Sequence, residues 1–268
     1  MKRETREYNY DWMMWTIVEN AAAAFDGSRK EYETLLRFIP NFRDSLDAIV
    51  RQGEPGVLLI KLMAKYLRNC INAPRQGKKT ALTTFCFAPP VLYAFDVVPV
   101  VLEPMTVMGT FILQRGTAEY LDYCCEAGFT ETSCSSQRGA LGAYLAGLAV
   151  RPDFIICDSP GICDTNANSY SFASAYLGIP FYQLNYPSTL TGSRATDYHR
   201  QDFRGLVAFL EEQTGTALDI ERFRQVIAEM RKQSVLISEF NELQRIVPSP
   251  VPGIFNLFLY SGNFLMGG

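Results

Sequence analysis

The sequence has a single histidine, His199, among its 268 residues. A His-rich zinc site, or a mechanism that needs several imidazole acid-base groups, is all but excluded. No stretch reaches the ~18 uninterrupted apolar residues of a membrane span. Met1-Lys2-Arg3-Glu4 leads into charged and aromatic residues, unlike the apolar core of a signal peptide. Neither sign of charge prevails: 25 Lys and Arg stand against 28 Asp and Glu, a net charge of -3. Such a balance offers no overall attraction to nucleic acid or an anionic membrane, so neither is expected as a partner, and the protein reads as cytoplasmic.

Several motifs are missing too. Ser159-Pro160-Gly161 lacks the Gly-x-x-x-x-Gly-Lys pattern of a phosphate loop, and no Gly-x-Gly-x-x-Gly occurs, so ATP hydrolysis and dinucleotide binding have no support. A Gly-x-Ser-x-Gly elbow for serine hydrolysis is absent, as are the Cys-x-x-Cys pairs of a zinc ribbon.

What the chain does have is sulfur. Seven cysteines are more than packing needs, and an odd number argues against a closed disulfide framework. With 48% hydrophobic and 20% charged residues, the composition is that of a globular protein able to bury a sizeable core.

The first 75 or so residues read as helical, with apolar positions at helical spacing in Tyr32, Leu35, Leu36, Phe38, Leu46 and Ile49, and a strongly apolar helix over 56–70. Ala73-Pro74-Arg75-Gln76-Gly77 breaks the pattern. Beyond Lys79, short β-branched runs at 80–85, 97–102, 154–157 and 181–184 alternate with helical stretches at 117–125, 137–149 and 169–177. This alternation predicts an α/β fold: a Rossmann-like parallel sheet with an N-terminal helical segment and long C-terminal helices. The helices are expected over 197–213 and 219–245, with Asp219 as an N-cap. The expected divisions are 1–78 for the helical segment, 79–190 for the α/β domain, and 191–268 for the helices and an apolar tail that calls for a covering partner.

Ligands of an open parallel sheet collect outside the carboxyl ends of its strands. Cys86 follows the run 80–85, and Cys163 lies in the turn beyond 154–157. Cys134 stands just before the helix that contains Arg138, where N–H groups and positive potential favour a thiolate. Three separate loops can therefore deliver one soft ligand each to a single edge, which suits an iron-sulfur cluster with one iron left open, or leaves the thiols as buried packing groups. Cys70 is expected in the core and Cys157 in a buried strand, with one of Cys124 and Cys125 facing inward. His199, at a helix start, reads as a surface or packing residue, and Arg138 could bind an anion there.

Three segments, FCFAPPVLYAFDVVPVVLEP, TSCSSQRGALGAYLAG and PDFIICDSPGICDTNANSYSFASAYLGIPFYQLNYPS, together resemble the 2-hydroxyacyl-CoA dehydratase and benzoyl-CoA reductase family. The resemblance runs from about Lys79 to Pro252. Cys86, Pro89, Pro90 and Pro99 hold the matching places in the first segment; Cys134, Arg138 and Leu141-Gly142 do so in the second, and Cys163-Asp164 and Ile179-Pro180 in the third. The helical run that ends in Leu210-Glu211-Glu212-Gln213-Thr214-Gly215 is also similar.

This resemblance implies a subunit carrying a 4Fe-4S cluster, paired with a homologous second subunit and fed electrons by an ATP-hydrolysing activator protein. The chemistry implied is one-electron radical chemistry on an acyl-CoA substrate. The metal ligands implied are Cys86 and Cys134, with the third either Cys163 or a residue of the second α/β domain that family members carry and this chain lacks. A glutamate usual near Val91 is also missing. A related branch holds a double-cubane cluster, for which Cys124, Cys125 and Cys157 would be the additional ligands. The other alternative is a non-catalytic companion subunit.

Overall fold

The computed structural model describes residues 10–26, 33, 37, 40–85, 87, 90–113, 115–158, 163–189, 191–250, 253, 255–256 and 259. Cys86, Pro89, the stretch 159–161, most of the apolar tail, and the helical positions Tyr32, Leu35, Leu36 and Phe38 lie outside them.

Among the described residues the chain opens with α1 (Tyr10–Asp26), α2 (Pro40–Val50) and α3 (Glu54–Asn72). Pro74–Gln76 forms a single 3-10 turn, and the chain then enters β1 (Thr80–Thr83). There follow α4 (Pro90–Ala94), β2 (Val98–Val101), α5 (Leu102–Ile112), α6 (Ala118–Glu126), α7 (Ser135–Leu145) and β3 (Phe154–Asp158). The last elements are α8 (Asp164–Leu177), β4 (Phe181–Leu184), α9 (Ser193–Thr214) and α10 (Ile220–Leu243).

The strands form one parallel sheet in the order β2-β1-β3-β4. Parallel sheets are covered on both faces, which is why their strands read as continuous apolar runs. Leu82, Val100, Ile155 and Cys157 face a core shared with α1, α3, α5, α7 and α8. Ala81, Phe154, Ile156 and Leu184 face the other way, onto Val91, Leu92, Leu206 and Leu210 of α4 and α9. All of β3 is buried. Gly178 ends α8 with a φ of 63°, a left-handed conformation that a side chain would oppose, and the chain turns directly into β4.

The order matters for function. From β1 the chain steps outward to β2, then crosses back so that β3 lies on β1's other side. The direction of winding therefore reverses between β1 and β3, the arrangement in which open α/β sheets take their ligands beyond the carboxyl ends of the two strands. Among the described residues no helix is long and apolar enough to cross a membrane.

Candidate functional site

The exits of β1 and β3 lead to Cys86 and Cys163, and α7 begins on the same edge with Cys134. Cys134 is the N-cap residue of α7 and Cys163 that of α8. In neither case does the side chain take the N–H groups of its helix, so each sulfur stands at the positive end of a helix without capping it. Cys134 is exposed and Cys163 is half-buried.

The start of α7 is held down by small residues. A Cβ on Gly139 would lie 2.3 Å from Thr106 Cγ2, and one on Gly142 would lie 2.0 Å from the Tyr120 carbonyl oxygen, so α7 presses close against α5 and α6. The Thr106 hydroxyl meanwhile accepts the Ala140 N–H at 2.8 Å.

Beneath the three turns lies a buried polar network. Glu103, in the first turn of α5, accepts the Phe85 N–H at 3.1 Å on Oε2. Its Oε1 accepts the Thr84 hydroxyl at 3.0 Å and Gln137 Nε2 at 3.3 Å. Gln137 Nε2 also donates to Asn166 Oδ1, and Gln137 Oε1 accepts the Ser169 hydroxyl at 2.6 Å. Asn166 Nδ2 in turn donates to Asp158 Oδ1 at 3.2 Å. Glu103, Gln137, Asp158, Asn166 and Ser169 are all buried.

Burial pushes the Glu103 carboxyl up to about 7, against the opposing pull of the Phe85 N–H, Thr84 and Gln137. Asp158 is raised as well, again chiefly by burial, with Asn166 opposing. Two polar atoms on this edge, Asp158 Oδ2 and Thr83 Oγ1, are buried without a hydrogen-bond partner. Isolated polar atoms of this kind are costly and uncommon in a folded interior.

The remaining cysteines divide sharply. Cys70, Cys124 and Cys157 are buried, and burial raises all three thiols, Cys124 to about 12. Cys70 contacts the Pro99 carbonyl and Cys124 the Arg138 carbonyl, at 3.8 and 3.3 Å. Buried thiols of this kind pack as small apolar groups. Cys125 is exposed and receives Arg138 Nη1 at 3.3 Å. Arg138 Nε donates to the Ser133 carbonyl at 3.2 Å, so this guanidinium also closes the connection between α6 and α7.

His199 lies farther along the same edge. Its ring stacks on Tyr186 at 5.3 Å, and its Nδ1 is buried with no hydrogen-bond partner. With Pro187, Ala195, Thr196, Arg200 and Phe203, these two residues line a cleft of ≈ 570 Å³ between the exit of β4 and α9.

Among the described residues no three His, Cys, Asp or Glu side chains are grouped closely enough to hold a metal ion; Cys86 is not among those residues. Glu103, Gln137 and Asn166 were not singled out by the sequence reading, though a signal was present. Cys134-Ser-Ser-Gln137 and Cys163-Asp-Thr-Asn166 share one spacing, with an amide at the third helical position after each cysteine.

A family model for the 2-hydroxyglutaryl-CoA dehydratase D-component matches residues 85–267, which takes in every turn described above and leaves out α1, α2 and α3. No curated protein sequence matches the chain.

Proposed function

Because the chain belongs to the 2-hydroxyglutaryl-CoA dehydratase D-component family, we propose that it is an iron-sulfur subunit whose cluster is held by Cys86, Cys134 and Cys163. One observation carries this reading: the starts of three cysteine-bearing turns are joined by a single buried network at the point where the winding of the sheet reverses. The donor set fits such a cofactor, since soft sulfurs suit iron and the two helix N-termini beside them offset the negative charge of a thiolate-ligated cluster. Asp158 Oδ2 and Thr83 Oγ1 add unsatisfied polar atoms on that edge.

A cluster of this type with one open iron supplies single low-potential electrons to the acyl group of a CoA thioester. The chain's own part is to hold and shield. Cys134 and Cys163 offer sulfur from helix starts, Arg138 contributes positive charge to the Cys134 turn, and the covered sheet excludes water from one side. Membership of the family supports a separate ATP-hydrolysing activator as the source of electrons and a homologous second subunit as partner. The cleft beside His199 offers concave space on the same edge for an acyl-CoA substrate.

Anaerobic reconstitution with iron and sulfide tests the proposal. Wild-type protein takes up iron and a brown chromophore. Cys134→Ser loses both, whereas Cys70→Ser, which alters a core thiol, keeps them. A well-folded chain that binds no iron would instead be a non-catalytic companion subunit, and full iron in Cys134→Ser would overturn the ligand assignment.

A further inference from the structure

Apolar side chains could fill the edge of this sheet without the desolvation cost of a carboxyl and two carboxamides, so the buried polar groups there need a reason. Their attachments supply one. Glu103 binds the N–H of Phe85, the residue before Cys86. Gln137 and Asn166 each stand three residues after a cysteine, and each returns its main-chain N–H to that cysteine's carbonyl, at 3.2 Å for Cys134 and 3.0 Å for Cys163. The side chains then bond to one another. Each turn is thus fixed to the network through its own backbone, and the network is fixed to β3 through Asp158.

We infer that Glu103, Gln137 and Asn166 are positioning residues that set the mutual placement of the Cys134 and Cys163 turns and of the exit from β1 at Phe85 before any metal arrives. This rests on the cluster assignment proposed above. Buried side-chain hydrogen bonds between fixed partners narrow the geometry, where an apolar core of the same volume would tolerate several. The three turns lie far apart in sequence; β1 and β3 are paired in register, which fixes where those two strands end but not how the chain runs beyond them, and the start of α7 belongs to no strand. Ser169, bonded to Gln137 at 2.6 Å, locks the amide's orientation.

The test uses the metal-free full chain under anaerobic conditions, with arsenite as the probe. Arsenite condenses with three thiols: three As–S bonds form, three As–O bonds break, three waters leave, and no oxidation state changes. Wild-type protein is expected to bind it through three cysteines. Gln137→Leu removes three side-chain hydrogen bonds and should weaken binding by about tenfold or more, the equivalent of one of them, measured well below the variant's own melting temperature. Asn166→Ala should do likewise, and it keeps the test open if Gln137→Leu does not fold. Ser171→Ala, an exposed change on the same helix, should bind as wild type does. In reconstituted protein, the two network variants should also shift the paramagnetic resonance signature of the reduced cluster.

A lower melting temperature with unchanged arsenite affinity and an unchanged spectrum would overturn the inference and leave the cluster assignment standing. Wild-type protein that binds neither iron nor arsenite would overturn both.

Discussion

Replacing Glu103 by Gln isolates one titration in the core. In the folded protein burial raises the carboxyl from 4.5 to about 7. A carboxyl with a raised folded value binds its proton more tightly in the folded state. Its stabilising contribution is complete below the unfolded value and is lost as pH rises through the folded one. At about 1.4 kcal/mol per unit, the wild-type chain should lose roughly 2–3 kcal/mol between pH ~5 and pH ~8 from this group. Asp11 is raised by burial to about 6 and acts in the same direction, but it is common to both proteins and cancels. Glu103→Gln should therefore gain roughly 2–3 kcal/mol on wild type in going from pH ~5 to pH ~8, whatever fixed penalty the substitution carries. Urea unfolding of the metal-free proteins at the two pH values measures the difference. An equal gap at both would refute the reasoning, because it would mean that Glu103 ionises in the folded protein as readily as in the unfolded chain.

Gly142→Ala would put a methyl group 2.0 Å from the Tyr120 carbonyl oxygen, so α6 and α7 must separate; the expected loss is about 3 kcal/mol in a thermal melt, and an unchanged midpoint would show that the helices do not approach so closely. Asp219→Ala removes the N-cap of α10, whose carboxylate accepts the Arg222 N–H at 2.9 Å; about 1 kcal/mol should go, seen as faster hydrogen exchange at Arg222, and unaltered protection would discount the cap.

Much of the fold was legible because its signals are local. The run at 181–184 is the observed β4, Gly178 stops α8, and Asp219 caps α10, each through chemistry confined to a few neighbouring residues. Where the signals merged, the reading faltered. β2 passes into α5 without a turn residue, and Val98-Pro99-Val100-Val101 followed by Leu102-Glu103-Pro104-Met105 reads as one apolar stretch, so α5 was not foreseen and the expected strand ran to 102. The short helix α4 was not among the helical stretches that the residue pattern predicts, and α7 starts at Ser135, two residues before the expected start, and stops at Leu145, short of 149.

For the site, the sequence by itself determined that single cysteines follow separate strands or precede helices, and that Cys70 and Cys157 belong to the interior. Tertiary structure alone decided which polar residues join those turns. Glu103, Gln137 and Asn166 are 34 and 29 positions apart along the chain, and a Gln or Asn near a helix start looks like an ordinary surface residue. Their burial follows from the order of the strands, which brings the exits of β1, β2 and β3 to one edge. Strand order is settled by packing across the whole sheet, so no local segment of the chain encodes it.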